Sequence, residues 1–104
     1  MKPLRFVGSS LSDLADFPVA ARRAAGYELW QVQCGLMPSD FKPMSSVGAG
    51  CYEVRIHSEG EWRVIYVASF KEAIYVLHAF GKKSQTTERR DLELARKRYL
   101  QIRS

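Results

Sequence analysis

Between residues 51 and 83 apolar and polar side chains alternate in three short runs, CYEVRIH, EWRVIYV and AIYVLHAFGKK, separated by turn-forming residues. A period of two with turns between the runs predicts a three-stranded antiparallel meander. The turns set its register. His57-Ser58-Glu59-Gly60-Glu61 fits a three-residue hairpin loop, a type I turn followed by a left-handed glycine, which places His57 opposite Glu61 and Arg55 opposite Arg63. A two-residue turn at Lys71-Glu72 puts Phe70 opposite Ala73, Ile65 opposite His78 and Arg63 opposite Phe80. One face then carries Tyr52, Val54, Ile56, Trp62, Val64, Tyr66, Tyr75, Leu77 and Ala79 and receives helices. The other is expected to be helix-free and carries Glu53, Arg55, His57, Arg63, Ile65, Val67, Val76, His78 and Phe80, with Lys82 and Lys83 just beyond. A slip of one residue in any strand reverses its faces.

Outside the meander the pattern changes. Leu4 to Val7 reads as a short strand, and Gly8-Ser9-Ser10 supplies serines able to cap a short helix over Leu11 to Asp16. Pro18 suits the first turn of a second helix, with Ala21, Ala25, Leu29 and Val32 as its apolar stripe and Gly35 as its stop. Residues 35 to 50, rich in Gly, Pro and Ser, predict a long irregular loop, functional or mobile. A last helix runs from about Glu88 to Ile102 after Thr86-Thr87 caps and aligns Leu92, Ala95, Tyr99 and Ile102. Arg89, Arg90, Arg96, Lys97 and Arg98 form its solvated side. The sum is an α+β domain over residues 1–104, with N-terminal helices and a C-terminal helix on an antiparallel sheet of about four strands.

Charge sharpens this picture. The net charge is +5, and residues 81–104 hold eight basic and three acidic side chains while residues 1–80 hold eight of each. A basic segment beside a face that already bears two arginines points to phosphate as partner. No apolar run approaches a membrane span and MKPLRFVGSSLSD lacks a signal peptide's apolar segment, so a cytoplasmic location without membrane contact is expected. Cys34 and Cys51 read as small, largely buried packing residues, and neither they nor the histidines have metal-ligand spacing, so no metal or cofactor is expected.

The runs SDFKPMSSVGAGCYEVRI, WRVIYVASF and AIYVLHAFGKKSQTTERRDLELARKRY, together with DFP and GYELWQVQ, resemble the phage-derived HigB-like branch of the RelE/ParE toxin superfamily. The resemblance covers most of the chain and is most specific at YVLHAFGKK. It implies a RelE-like fold and the toxin of a type II toxin–antitoxin system: a ribosome-dependent, metal-independent mRNA endoribonuclease that inhibits translation. It also implies a helix-turn-helix antitoxin as partner, beside mRNA and the ribosome. Arg55 falls where related nucleases have a basic residue on the second strand. Arg63 matches the strand arginine facing the scissile phosphate, and Lys83 matches a basic residue after the last strand. Two departures stand out: Glu53 replaces a lysine of some relatives, and the tyrosine that some place beyond the last strand is absent. A non-catalytic RNA- or antitoxin-binding module and, more remotely, a gyrase inhibitor are the alternatives.

Metal-free RNA cleavage needs the 2′-hydroxyl activated, the phosphorane stabilised and the 5′-oxygen protonated. Arg63, without an obvious acidic neighbour in this register, suits phosphorane stabilisation, with Arg55 and Lys83 assisting. His78, taken as the one strand imidazole on this face, suits general acid or base catalysis. Phe80 can stack a base, and Lys82, Arg89 and Arg90 can bind substrate. Each residue also has a plain structural reading: a core histidine, solvated strand-end lysines, a packing phenylalanine, or an antitoxin-facing helix.

Overall fold

Five strands form one sheet in the order β1-β5-β4-β3-β2, where β1 is Leu4–Phe6, β2 Phe41–Pro43, β3 Cys51–His57, β4 Glu61–Val67 and β5 Ile74–Gly81. The computed structural model describes residues 1–84 and 86–103. Helices α1 (Ser10–Ala15) and α2 (Val19–Gln33) cover one face, and α3 (Arg89–Arg103) lies against part of the other. The expected α+β architecture holds, with one more strand than expected and a mixed sheet: β1 pairs parallel to β5, Leu4 with Ile74, and the remaining pairings are antiparallel.

The first hairpin has the predicted register, His57 opposite Glu61 and Arg55 opposite Arg63. Its loop does not contain the expected type I turn, since Glu59 takes φ +52° ahead of Gly60 at φ +115°. The second connection differs more. Arg63 faces Phe80 and Ile65 faces His78 as predicted, but then Tyr66 faces Val76, leaving Leu77 as an extra residue in a β-bulge. The two-residue turn at Lys71-Glu72 does not form; residues 68–73 make a longer loop, and Lys2 Nζ donates to the carbonyls of Ala68 (2.6 Å) and Phe70 (2.7 Å). Past a bulge the faces reverse, so Val76 joins the α1/α2 side and Leu77 and Tyr75 the α3 side, opposite to their expected placement.

Ala21, Ala25, Leu29 and Val32 form the predicted buried stripe of α2, packed on Val54, Val64, Tyr66, Ile74 and Val76. Pro18 is the N-cap of this helix, and Gly35 follows its end at φ +84°. On the other face Ala95 and Tyr99 of α3 pack on Ile65, Val67 and Leu77, so this face is not helix-free. The segment 44–50 is held down, with Met44 and Val47 buried in that core. A Cβ on Gly48 would lie 2.4 Å from the Tyr99 ring, so only glycine permits this approach. The irregular segment is thus anchored, and it contains β2.

Three side chains depart from their expected roles because each finds a tertiary partner. Arg98 is buried rather than solvated: Nη1 donates to Leu77 O at the bulge (2.8 Å) and Nη2 to Ser9 Oγ (3.0 Å). Ser9 makes no capping bond and donates to Asp13 Oδ2 (2.8 Å) instead. Thr87 Oγ1 donates to Glu53 Oε2 (2.7 Å). Cys51 is buried, its thiol pushed up to about 12 by desolvation, whereas Cys34 is exposed because it caps α2 beyond the last buried turn.

Candidate nucleic-acid interface

Cross-strand pairing sorts the α3-side face into rows. Lys42, Glu53, Ile65 and His78 form one; Arg55, Arg63 and Phe80 the next; His57 and Glu61 the third, extended by Lys82, whose N–H donates to Glu61 O at 2.8 Å. The N-terminal end of α3 reaches the first row through Thr87 and Asp91. Beyond it the other rows open on two clefts. One, about 330 Å³, is lined by Glu61, Arg63, Lys82, Lys83 and Ser84. The other, about 240 Å³, runs between Phe80, Lys82 and Lys83 on one side and Glu88, Arg90 and Asp91 on the other.

The charges in these rows are tightly interlocked. Arg63 is only 7% exposed and has two acidic neighbours, contrary to the expectation that it lacks any. Its Nη1 donates to Glu61 Oε1 (3.2 Å) and to Trp62 O (2.9 Å), and its Nε lies 3.8 Å from Glu53 Oε1. The register alone hid this, because Glu53 is diagonal to Arg63 and Glu61 is two residues from it on the same strand face. Glu53 is fully buried, held by Thr87, while its Oε1 has no hydrogen-bond donor. Arg55 is half-buried with its Nε likewise unpartnered. Partial burial lowers the Lys82 pKa below its ordinary 10.5; Glu53 opposes this, and Arg63, Arg55 and Lys42 reinforce it. Four cations therefore share one neighbourhood around a single buried carboxylate, an arrangement that attracts an anion.

The family now follows from sequence comparison. Residues 12–100 match the family model described as phage derived protein Gp49-like (DUF891). The chain belongs to this family. It is a phage-derived, toxin–antitoxin-associated, RelE/HigB-like family. No curated protein matches the chain. No helix among the described residues is long and apolar enough to cross a membrane.

Of the residues singled out in this Gp49-like sequence, Arg55, Arg63, Phe80, Lys82 and Lys83 lie together, and Arg90 faces them across the smaller cleft. Arg89 does not line either cleft and is paired with Glu93 on the exposed side of α3 (2.8 Å). Arg90 Nε pairs with Glu88 Oε2 at 3.1 Å. His78 is buried, with Nε2 2.7 Å from Asp91 Oδ1 and its ring stacked on Phe80 at 4.7 Å. That stack fixes the Phe80 ring and reduces the access of His78 to a bound strand.

Sequence reasoning passed over a second strand imidazole on the same face. His57 ends β3, is half exposed, and sits between two carboxylates: Nε2 is 2.6 Å from Asp40 Oδ2 and Nδ1 2.8 Å from Glu61 Oε1. Its hydrogen bonds to Asp40 and then Glu61 raise its pKa above the ordinary 6.5. Glu61 is in turn lowered, first by His57 and then by Arg63. The predicted pairing of His57 with Glu61 was the available signal. Asp40 carries no such signal, because residues 35–50 have the composition of an irregular loop. Among the described residues no group of His, Cys, Asp and Glu side chains is arranged to hold a metal ion.

Proposed function

We propose that this chain is the toxin of a type II toxin–antitoxin pair and a metal-independent endoribonuclease that cuts mRNA on the ribosome, in the manner of the HigB-like toxins. The observation that carries this reading is the cross-strand row Arg55, Arg63, Phe80, opening on a cleft edged by Lys82 and Lys83. Like charges facing each other across a sheet are unfavourable without an anion between them, and the guanidinium fork matches phosphate oxygens. In this reading Arg63 and Arg55 hold the phosphorane charge, Lys82 and Lys83 hold flanking phosphates, and Phe80 stacks a base. Arg90 assists from α3. His78 is a positioning residue that orients Phe80.

The antitoxin is a small helix-turn-helix protein, encoded beside this gene. A second reading, a binding module without chemistry, draws support from Arg63 already holding Glu61 and approaching Glu53. In vitro translation followed by primer extension separates the two. The nuclease reading expects discrete cuts in translated messages with the parent protein and none with Arg63→Ala. Salt-sensitive RNA binding with intact messages in both cases would favour the binding module.

A further inference from the structure

We propose that His57 is the general acid of this site, donating its Nε2 proton to the leaving 5′-oxygen as the RNA strand breaks. The proposal rests on the nuclease reading and adds to it the proton donor that the arginines cannot supply, since a guanidinium stays protonated near neutral pH.

Placement is the first argument. His57 and Glu61 form the row next to Arg55 and Arg63 on the same sheet face. Two residues along a strand is roughly 7 Å, so a phosphate held by the arginines presents one apical oxygen toward the imidazole. Access is the second. His57 is half exposed at the end of β3, whereas His78 is buried and bonded to Asp91. Connection is the third: Glu61 Oε1 accepts from both His57 Nδ1 (2.8 Å) and Arg63 Nη1 (3.2 Å), so one carboxylate fixes the proton donor relative to the phosphate-binding arginine. The groups facing the imidazole are Asp40 from the segment before β2 and Glu61 from β4, with Arg63 behind Glu61; Arg55 and Lys82 flank the rows. The two carboxylates raise the ring's pKa above its ordinary value and so favour the protonated form that a general acid needs.

In the step, the 2′-oxygen bonds to phosphorus as its proton passes to water. The P–O5′ bond breaks with its electron pair remaining on O5′, and O5′ takes Asp40's place at Nε2 and receives the proton. The products are a 2′,3′-cyclic phosphate and a 5′-hydroxyl, and the neutral imidazole regains its proton from solvent while Glu61 holds Nδ1.

The test is the pH dependence of cleavage of a translated message by the parent, His57→Gln and Asp40→Asn, with circular dichroism to confirm folding and RNA binding measured alongside. The parent rate is expected to fall at alkaline pH as His57 deprotonates. His57→Gln should cut 10²–10⁴-fold more slowly, with no such fall and with RNA affinity unchanged. Asp40→Asn, which removes one stabilising carboxylate, should shift the alkaline limb to lower pH while retaining most of the acid-side rate. Cleavage by folded His57→Gln at the parent rate and with the parent pH profile overturns the proposal while leaving the nuclease intact. A parent that cuts nothing at any pH overturns the nuclease reading and this proposal with it.

Discussion

The two faces of the sheet divide the molecule's work. The α1/α2 face is apolar from edge to edge: alanines, leucine and valine of α2 meet valines, isoleucines and Tyr66 of the strands. The α3 face is apolar only where Ala95 and Tyr99 cover Cys51, Ile65, Val67 and Leu77; beyond them it buries Glu53, Arg63 and His78. Among the described residues, the four buried side-chain atoms without a hydrogen-bond partner, Glu53 Oε1, Arg55 Nε, Arg63 Nε and His78 Nδ1, all belong to residues of that second face. Buried polar groups left unpartnered cost stability, so a protein that concentrates them on one side of its sheet must hold itself together from the other. The first face carries stability, and the second concentrates charge and unpartnered polar atoms.

Substitutions on the two faces should therefore separate folding from chemistry. The largest effect is expected at Arg63. Arg63→Ala should lower cleavage by about 10²–10³-fold, the scale for losing one preorganised donor to a transition-state anion. It should also destabilise the fold by roughly 3–5 kcal/mol, because Glu53 loses its nearest cation. Adding Glu53→Gln should recover much of the stability, read by urea unfolding, and none of the cleavage. Full recovery of both would show that the arginine is structural. On the opposite face, Leu29→Ala should cost about 2–5 kcal/mol and leave the cleavage rate per folded molecule unchanged; a rate loss there would mean that the faces are coupled. Gly48→Ala, forced against the Tyr99 ring, should cost about 1–3 kcal/mol in thermal unfolding by loosening segment 44–50.

The smallest effect concerns pH. Because the folded-state pKa of His57 lies above 6.5, its contribution to stability is complete below pH 6.5 and is lost as pH rises through the higher folded value. Solvent screening at this half-exposed site limits it to at most about 1 kcal/mol. Urea midpoints of the parent and His57→Gln should thus differ at pH 6 and converge at pH 9.

Sequence pattern made the first hairpin legible because its information is local: Gly60 supplies the loop and alternation supplies the faces. The same locality explains the stripe of α2 and the inward side of α3. The second hairpin was legible only as far as Ile65 and His78. The bulge at Leu77 is secured by Arg98, distant in sequence, and a charged helix residue gives no sign that it will be buried against a strand carbonyl. The site was legible in the same uneven way. Arg55, Arg63 and Phe80 followed from register, as did Glu61 opposite His57, while the acidic partners of Arg63 and the Asp40 partner of His57 did not. Those partners are Glu53, a diagonal strand neighbour, and Glu61, two positions along the same strand, for Arg63, and Asp40, just before β2, for His57; these contacts need the tertiary fold.

One consequence of the topology concerns how the chain is made. Strand β1 is an early segment, yet among the described residues the strand it pairs with is β5. While the polypeptide emerges from the ribosome, Leu4–Phe6 has no edge to join until Ile74–Val76 has left the exit tunnel, and closing so long a loop is slow compared with zipping the local meander. The strands bearing the arginines can associate first, and β1 is the element that completes the sheet.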